Sequence, residues 1–120
     1  LVGRRASRDP VAKGGWNSFC TTWGGLQVAN PGSSYPLRGN GIGGWFGWPV
    51  DAKMEELRDA WFDAPDLAAQ QKICDQMQAL AFQNVPFIPT GQWTTPSAFR
   101  KTVTDVVQSG PVVFWNLKKA

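Results

Sequence analysis

The sequence predicts an α/β chain, and three observations carry the prediction. Two segments within residues 51–92 place apolar side chains at helical spacing. Three shorter runs, 16–23, 103–107 and 111–116, are rich in the residues that favour extended backbone. Glycine and proline separate these segments. With 120 residues, 42% of them apolar and 18% charged, the chain has the size and composition of about one globular domain.

In chain order, residues 1–13 are polar and basic and contain Asp9-Pro10, which suggests a surface loop or helix end. The chain begins without an initiator Met, and Leu1-Val2-Gly3 is followed at once by Arg4, Arg5 and Arg8, so it reads as a piece of a longer chain. Gly14-Gly15 opens the run 16–23, read as a strand. Trp16, Ser18, Cys20 and Thr22 share one face, and Asn17, Phe19, Thr21 and Trp23 the other, so both faces are expected to be covered. Residues 24–49 hold eight glycines with Pro31, Pro36 and Pro49, which makes a long loop. Tyr35, Trp45, Phe46 and Trp48 argue against disorder there: they must pack on something or bind something.

Asp51 is placed to cap a first helix, with Glu55 and Glu56 near its positive end and Met54, Leu57, Trp61 and Phe62 on one face. Ala64-Pro65 ends it. Asp66 is placed to cap a second helix whose Ile73, Met77, Leu80 and Ala81 share a face. Residues 85–89 are too short and proline-rich for a helix and read as a short buried strand. Thr94-Thr95-Pro96 then suggests the start of a short helix over 97–101, and 103–107 and 111–116 read as extended segments, the second ending in a basic tail.

Composition excludes several functions. The net charge of +3 arises from basic clusters at the two ends, away from the aromatics, which argues against a nucleic-acid partner. No apolar run approaches the ~20 residues of a membrane-spanning helix. The absence of His, with two Cys in the whole chain, argues against metal sites, metal cofactors and His-dependent catalysis. Cys20 and Cys74 read as two small buried apolar residues, with a disulfide as the alternative. Asp51, Glu55, Glu56, Asp59, Asp63, Asp66 and Asp75 lie on or at the ends of the two helices and read as caps and solvated faces. Asp105 stands alone, so no pair of acids faces across a cleft, and the expectation is a protein that is not an enzyme. The glycine spacing does not form a phosphate cradle.

Seven Trp make the compositional outlier. Trp16, Trp61 and Trp115 sit on patterned segments and read as core residues, whereas Trp23, Trp45, Trp48 and Trp93 lie beside glycine-rich loops and read as walls of a ligand pocket.

The ordered set Gly14-Gly15-Trp16, Thr22-Trp23-Gly24-Gly25, Asn30-Pro31, Gly44-Trp45-Phe46-Gly47-Trp48-Pro49, Pro89-x-Gly91-Gln92 with Ala98-Phe99-Arg100-Lys101, and Pro111-Val112-Val113-Phe114-Trp115-Asn116 resembles the C-terminal part of the family 5 extracellular solute-binding proteins. These peptide, opine and nickel binders feed ABC importers. The resemblance covers essentially the whole chain. It implies a partial type II periplasmic-binding-protein fold, with 1–92 in the second of two α/β lobes and 93–120 returning to the first. It also implies a periplasmic, extracytoplasmic location and a membrane permease as partner. In peptide-binding members an Asp shortly after the Trp-x-Gly motif holds the ligand's ammonium; here the matching position is Leu26 or Gln27. Gln27 offers neutral hydrogen bonds of about 1 kcal/mol net each, so a small polar organic solute or modified peptide is the expected ligand.

The expected ligand-binding residues are Trp23, Gly25, Leu26, Gln27, Trp45 and Trp48, with Gln92 and Trp93 near the lobe crossover. If the rest of the two-lobe protein is missing, open apolar faces are expected to make the fragment self-associate. The competing reading is a stand-alone carbohydrate-binding module that uses a Trp platform.

Overall fold

The computed structural model describes residues 3–110 and 113–119. Leu1 and Val2 of the basic arm, and Pro111 and Val112 at the start of the last expected extended segment, lie outside the described residues. The chain divides into two compact units, Leu1–Ile88 and Pro89–Ala120.

The core of the first unit is a helical hairpin. Helix α1 (Ala52–Phe62) is capped by Asp51, whose carboxylate accepts from the Met54 N–H at 3.0 Å, and α2 (Leu67–Asn84) by Asp66, which accepts from the Ala69 N–H at 2.8 Å. Both expected caps are in place. The Asp51 carboxylate also accepts from the Asn84 side chain at 2.7 Å, tying the start of one helix to the end of the other. Met54 and Leu57 of α1 meet Met77 of α2, and Leu37, Ile73, Leu80 and Ala81 pack around them. The α2 face matches its sequence pattern. On α1 the pattern fails at the end: Phe62 is 55% exposed, because its ring lies under the Arg58 guanidinium (5.0 Å) and against Gly32, on the flank of the hairpin.

Residues 24–49 form an ordered loop with short 3-10 turns at Gly25–Val28, Tyr35–Leu37 and Gly41–Gly43. Two α1 side chains pin it down. Glu55 accepts from Nε and Nη2 of Arg38 at 2.9–3.1 Å and from the Gly39 N–H at 2.7 Å. Arg58 donates to the carbonyls of Pro31 (3.3 Å) and Gly32 (3.2 Å). Gly39 is required where the loop crosses the helix start, since a Cβ there would lie 2.5 Å from the Asp51 carbonyl oxygen. The Asn40–Val50 bridge, with the Gly41 N–H on Pro49 O (2.9 Å) and the Asp51 N–H on Gly39 O (2.8 Å), closes a smaller loop that carries Trp45, Phe46 and Trp48.

Several expected elements do not form. Residues 16–23 make no strand, because no described segment lies alongside to take up their backbone hydrogen bonds. Trp16, Phe19 and Trp23 are half-buried against other aromatics while Cys20, Thr21 and Thr22 are exposed, so only the aromatic residues of the two expected faces are covered. Cys20 and Cys74 are both free thiols, Cys20 exposed and Cys74 half-buried, which corrects the expectation of two buried residues or a disulfide. Residues 85–88 form no buried strand: Val85 takes the left-handed conformation (φ +47°) that ends α2, Pro86 and Pro89 donate no N–H, and Phe87 and Ile88 are exposed.

In the second unit, residues 97–101 form no helix, since five residues cannot repay helix nucleation without tertiary support. The extended segment at 103–107 is realised as β1 (Val103–Thr104), paired antiparallel with β2 (Lys118–Lys119) in the register Val103 to Lys119 and Thr104 to Lys118. The partner strand is thus the basic tail; Trp115 and Asn116 lie in a turn before it. Trp115, expected in a core, is 86% exposed, because this unit gathers no buried apolar cluster among its described residues. The chain is therefore mixed, two packed helices and one short antiparallel pair.

Candidate functional site

The aromatic residues of 16–48 form one continuous cluster. Trp23 stands 4.5 Å from Trp45 and nearly parallel to Tyr35 at 6.1 Å, ring centroid to centroid. Trp45 touches Phe46 (4.8 Å), Phe46 lies 6.5 Å from Phe19, and Trp16 bridges Phe19 (4.8 Å) and Trp48 (6.4 Å). Edge and tilted arrangements dominate, as ring quadrupoles favour.

On one side of this cluster opens a cleft of about 670 Å³ lined by Trp23, Leu26, Gln27, Gly32, Ser33, Tyr35 and Trp45. Every side chain in that lining is uncharged. Gln27 caps its own turn: its Oε1 accepts from the Gly24 N–H at 2.9 Å, which leaves its amide group as a donor facing the turn's surroundings. Ser33 is held by Asn30, whose Oδ1 accepts from the Ser33 N–H at 3.1 Å. Among the described residues, the indole N–H groups of Trp23 and Trp45 and the Tyr35 hydroxyl have no protein partner, so the cleft combines apolar ring faces with free hydrogen-bonding groups. Such a surface has the chemistry to take up apolar rings and hydrogen-bonding groups; its lining holds no pair of acids and no nucleophile with a base.

Of the eight residues singled out in the sequence, Trp23, Leu26, Gln27 and Trp45 are brought together in this lining. Gly25 opens the 3-10 turn that presents Leu26 and Gln27. Trp48, in the left-handed region at φ +46°, packs on Trp16 and Phe46 outside the lining. Gln92 and Trp93 belong to the second unit, where Trp93 is 65% exposed. That unit has its own open concavity of about 580 Å³ beside the Asp105–Lys118 ion pair (2.7 Å) and Trp115.

Sequence reasoning missed the residues that position the cleft. Tyr35, Gly32 and Ser33 complete its wall, and Glu55, expected on a solvated face, and Arg58 fasten its loop. Partial burial pushes the Glu55 carboxyl upward, but the hydrogen bonds from Arg38 and the Gly39 N–H and the charges of Arg38 and Arg58 outweigh it, so the group sits below the usual carboxylate range. The Glu55 hydrogen bond raises Arg38 in turn, against a smaller effect of burial. The basic arm was also underread. Arg4 donates to the carbonyls of Gly14 and Gly15 (both 3.3 Å), Arg5 lies over Phe46 (4.7 Å) and Trp45 (5.2 Å), and Arg8 lies over Trp48 (4.8 Å).

No family model matches the chain. Over all 120 residues it is 37% identical to a "probable peptide ABC transporter periplasmic-binding protein" of Sinorhizobium fredii, and it spans 23% of that protein's length.

Proposed function

We propose that the chain is a non-catalytic, ligand-binding segment of an extracytoplasmic solute-binding protein that serves an ABC importer, of the family 5 type. The observation that carries this reading is the similarity to a periplasmic-binding protein from end to end of the chain. The neutral, aromatic cleft supports it from the side of chemistry, because ring faces and free donors suit a small solute held without covalent reaction. In this reading the chain belongs to a type II periplasmic-binding fold, the membrane permease is its partner, residues 1–92 are second-lobe structure, and 93–120 return to the first lobe. The ligand lies in the cleft with Trp23, Leu26, Gln27 and Trp45 against it, Gly25 and Trp48 behind that wall, and Gln92 and Trp93 near the crossover.

The ligand is a small polar or peptide-like solute that does not depend on a free ammonium group, since Leu26 and Gln27 stand where a carboxylate would hold one. The test is calorimetric titration of the intact protein, expressed from its complete reading frame, with N-acetyl-phenylalaninamide and with phenylalaninamide. The blocked compound should bind at least as tightly as the free amine. A strong preference for the amine would contradict the reading. A carbohydrate-binding module would instead retain affinity for oligosaccharides in the 120-residue chain alone.

A further inference from the structure

Arg5 is the unusual cation of the molecule. Arg38, Lys53, Arg58 and Lys118 each have a carboxylate partner; Arg5, like Arg4 and Arg8 of the same arm, has none among the described residues, and of these three it is the one with an enclosed nitrogen. Its guanidinium rests on the Phe46 and Trp45 rings, and its Nε is enclosed without a hydrogen-bond acceptor. Its place is fixed, since its carbonyl accepts from the Trp16 indole N–H at 3.0 Å. A half-buried guanidinium resting on aromatic rings is held in place, and its positive charge is only partly solvated. Trp45 is shared: it carries Arg5 and also forms a wall of the cleft, whose lining offers no negative group to balance that charge.

We infer that Arg5 gives this cleft a preference for solutes that pair an apolar ring with a carboxylate. The inference rests on the reading of the cleft as the solute site. Three aromatic rings in one cleft would otherwise invite a cation, as aromatic cages do. Here the Trp45 ring already carries one, and a second would bring like charges close together in partly desolvated surroundings. An anion in the cleft is instead drawn by the Arg5 charge carried on the Trp45 ring, while the indole N–H groups of Trp23 and Trp45 offer it hydrogen bonds.

The test uses the intact protein and three compounds that share one ring: N-acetyl-phenylalanine (anionic), N-acetyl-phenylalaninamide (neutral) and phenylalaninamide (cationic). Affinities are measured by calorimetry for the unmodified protein, Arg5→Gln and Arg5→Lys. The acid should bind about tenfold more tightly than the neutral amide, a margin that a nearby unpaired charge supplies. Arg5→Gln should abolish that margin while leaving the amide's affinity within about twofold, and Arg5→Lys should retain part of it. In the unmodified protein the margin should also shrink as salt is raised, a readout that needs no variant to fold. An acid-to-amide ratio unchanged by Arg5→Gln, or insensitive to salt, overturns the inference while leaving the cleft intact. The tightest binding by the cationic compound overturns it in favour of an aromatic cage. Failure of the neutral amide to bind at all removes the cleft as a solute site, and the inference with it.

Discussion

At the scale of single residues, the molecule depends on polar side chains of α1 that reach across to the loop. Glu55 is the clearest, taking three hydrogen bonds from Arg38 and one from the Gly39 N–H. Its folded-state pKa is lowered, so the stability it contributes is complete above the ordinary carboxylate pKa and is lost as pH falls through the folded value. Thermal melts between neutral pH and about pH 3 should therefore show stability falling on the acid side, and Glu55→Gln should be less stable at neutral pH with a flatter acid limb. An identical acid limb in both proteins would contradict the assignment. None of this was legible in sequence. Glu55 reads as a helix N-terminal acid, correctly as far as the dipole goes, but its partner lies 17 residues upstream on a loop without periodicity. Asp51 and Asp66 were legible because capping is local: the donor lies three residues on.

At the scale of elements, α1 and α2 were legible in type and boundary, since periodicity, caps and breakers all point the same way, and so was the buried face of α2; on α1, Met54 and Leu57 are buried, whereas Trp61 is half-buried and Phe62 exposed. Of the expected strands, only 103–107 is realised, over Val103–Thr104. A strand exists when another strand accepts its hydrogen bonds, and residues 16–23 and 85–89 have the composition of strands without a described neighbour. The end of α2 carries a cost of its own. Val85 is β-branched and held at φ +47°, a conformation that ordinarily favours glycine at a helix C-terminus, and its side chain is mostly exposed. Val85→Gly should therefore stabilise the helical hairpin by about 1 kcal/mol, read from urea unfolding, because relief of the left-handed strain outweighs the little apolar burial lost. A destabilised variant would mean that the Val85 side chain is held by packing. Gly39→Ala should act in the opposite direction, since no room exists for its Cβ over the Asp51 backbone.

At the scale of the whole molecule, the buried apolar core among the described residues consists of Met54, Leu57 and Met77, while Leu26, Ile42, Phe82, Ile88 and Phe114 are all at least 70% exposed. That balance suits a chain whose apolar surface meets further protein. The 120-residue chain alone is expected to dimerise or to be marginally stable, and a monomeric, cooperatively melting species in sedimentation and melting experiments would contradict this. The candidate site was half legible. Tryptophans beside glycine-rich turns marked Trp23 and Trp45, and the motif order marked Leu26 and Gln27, but Tyr35 and the arginine arm joined them through contacts that no spacing announces. The account centres on Trp23, which stacks on Tyr35, touches Trp45 and lines the cleft. The most direct measurement is calorimetric titration of N-acetyl-phenylalaninamide into the intact protein and its Trp23→Ala variant, with melting curves to confirm that both are folded. The account predicts that the variant binds about tenfold or more weakly, the loss expected when an aromatic wall is removed. Equal affinity in the two proteins would contradict it.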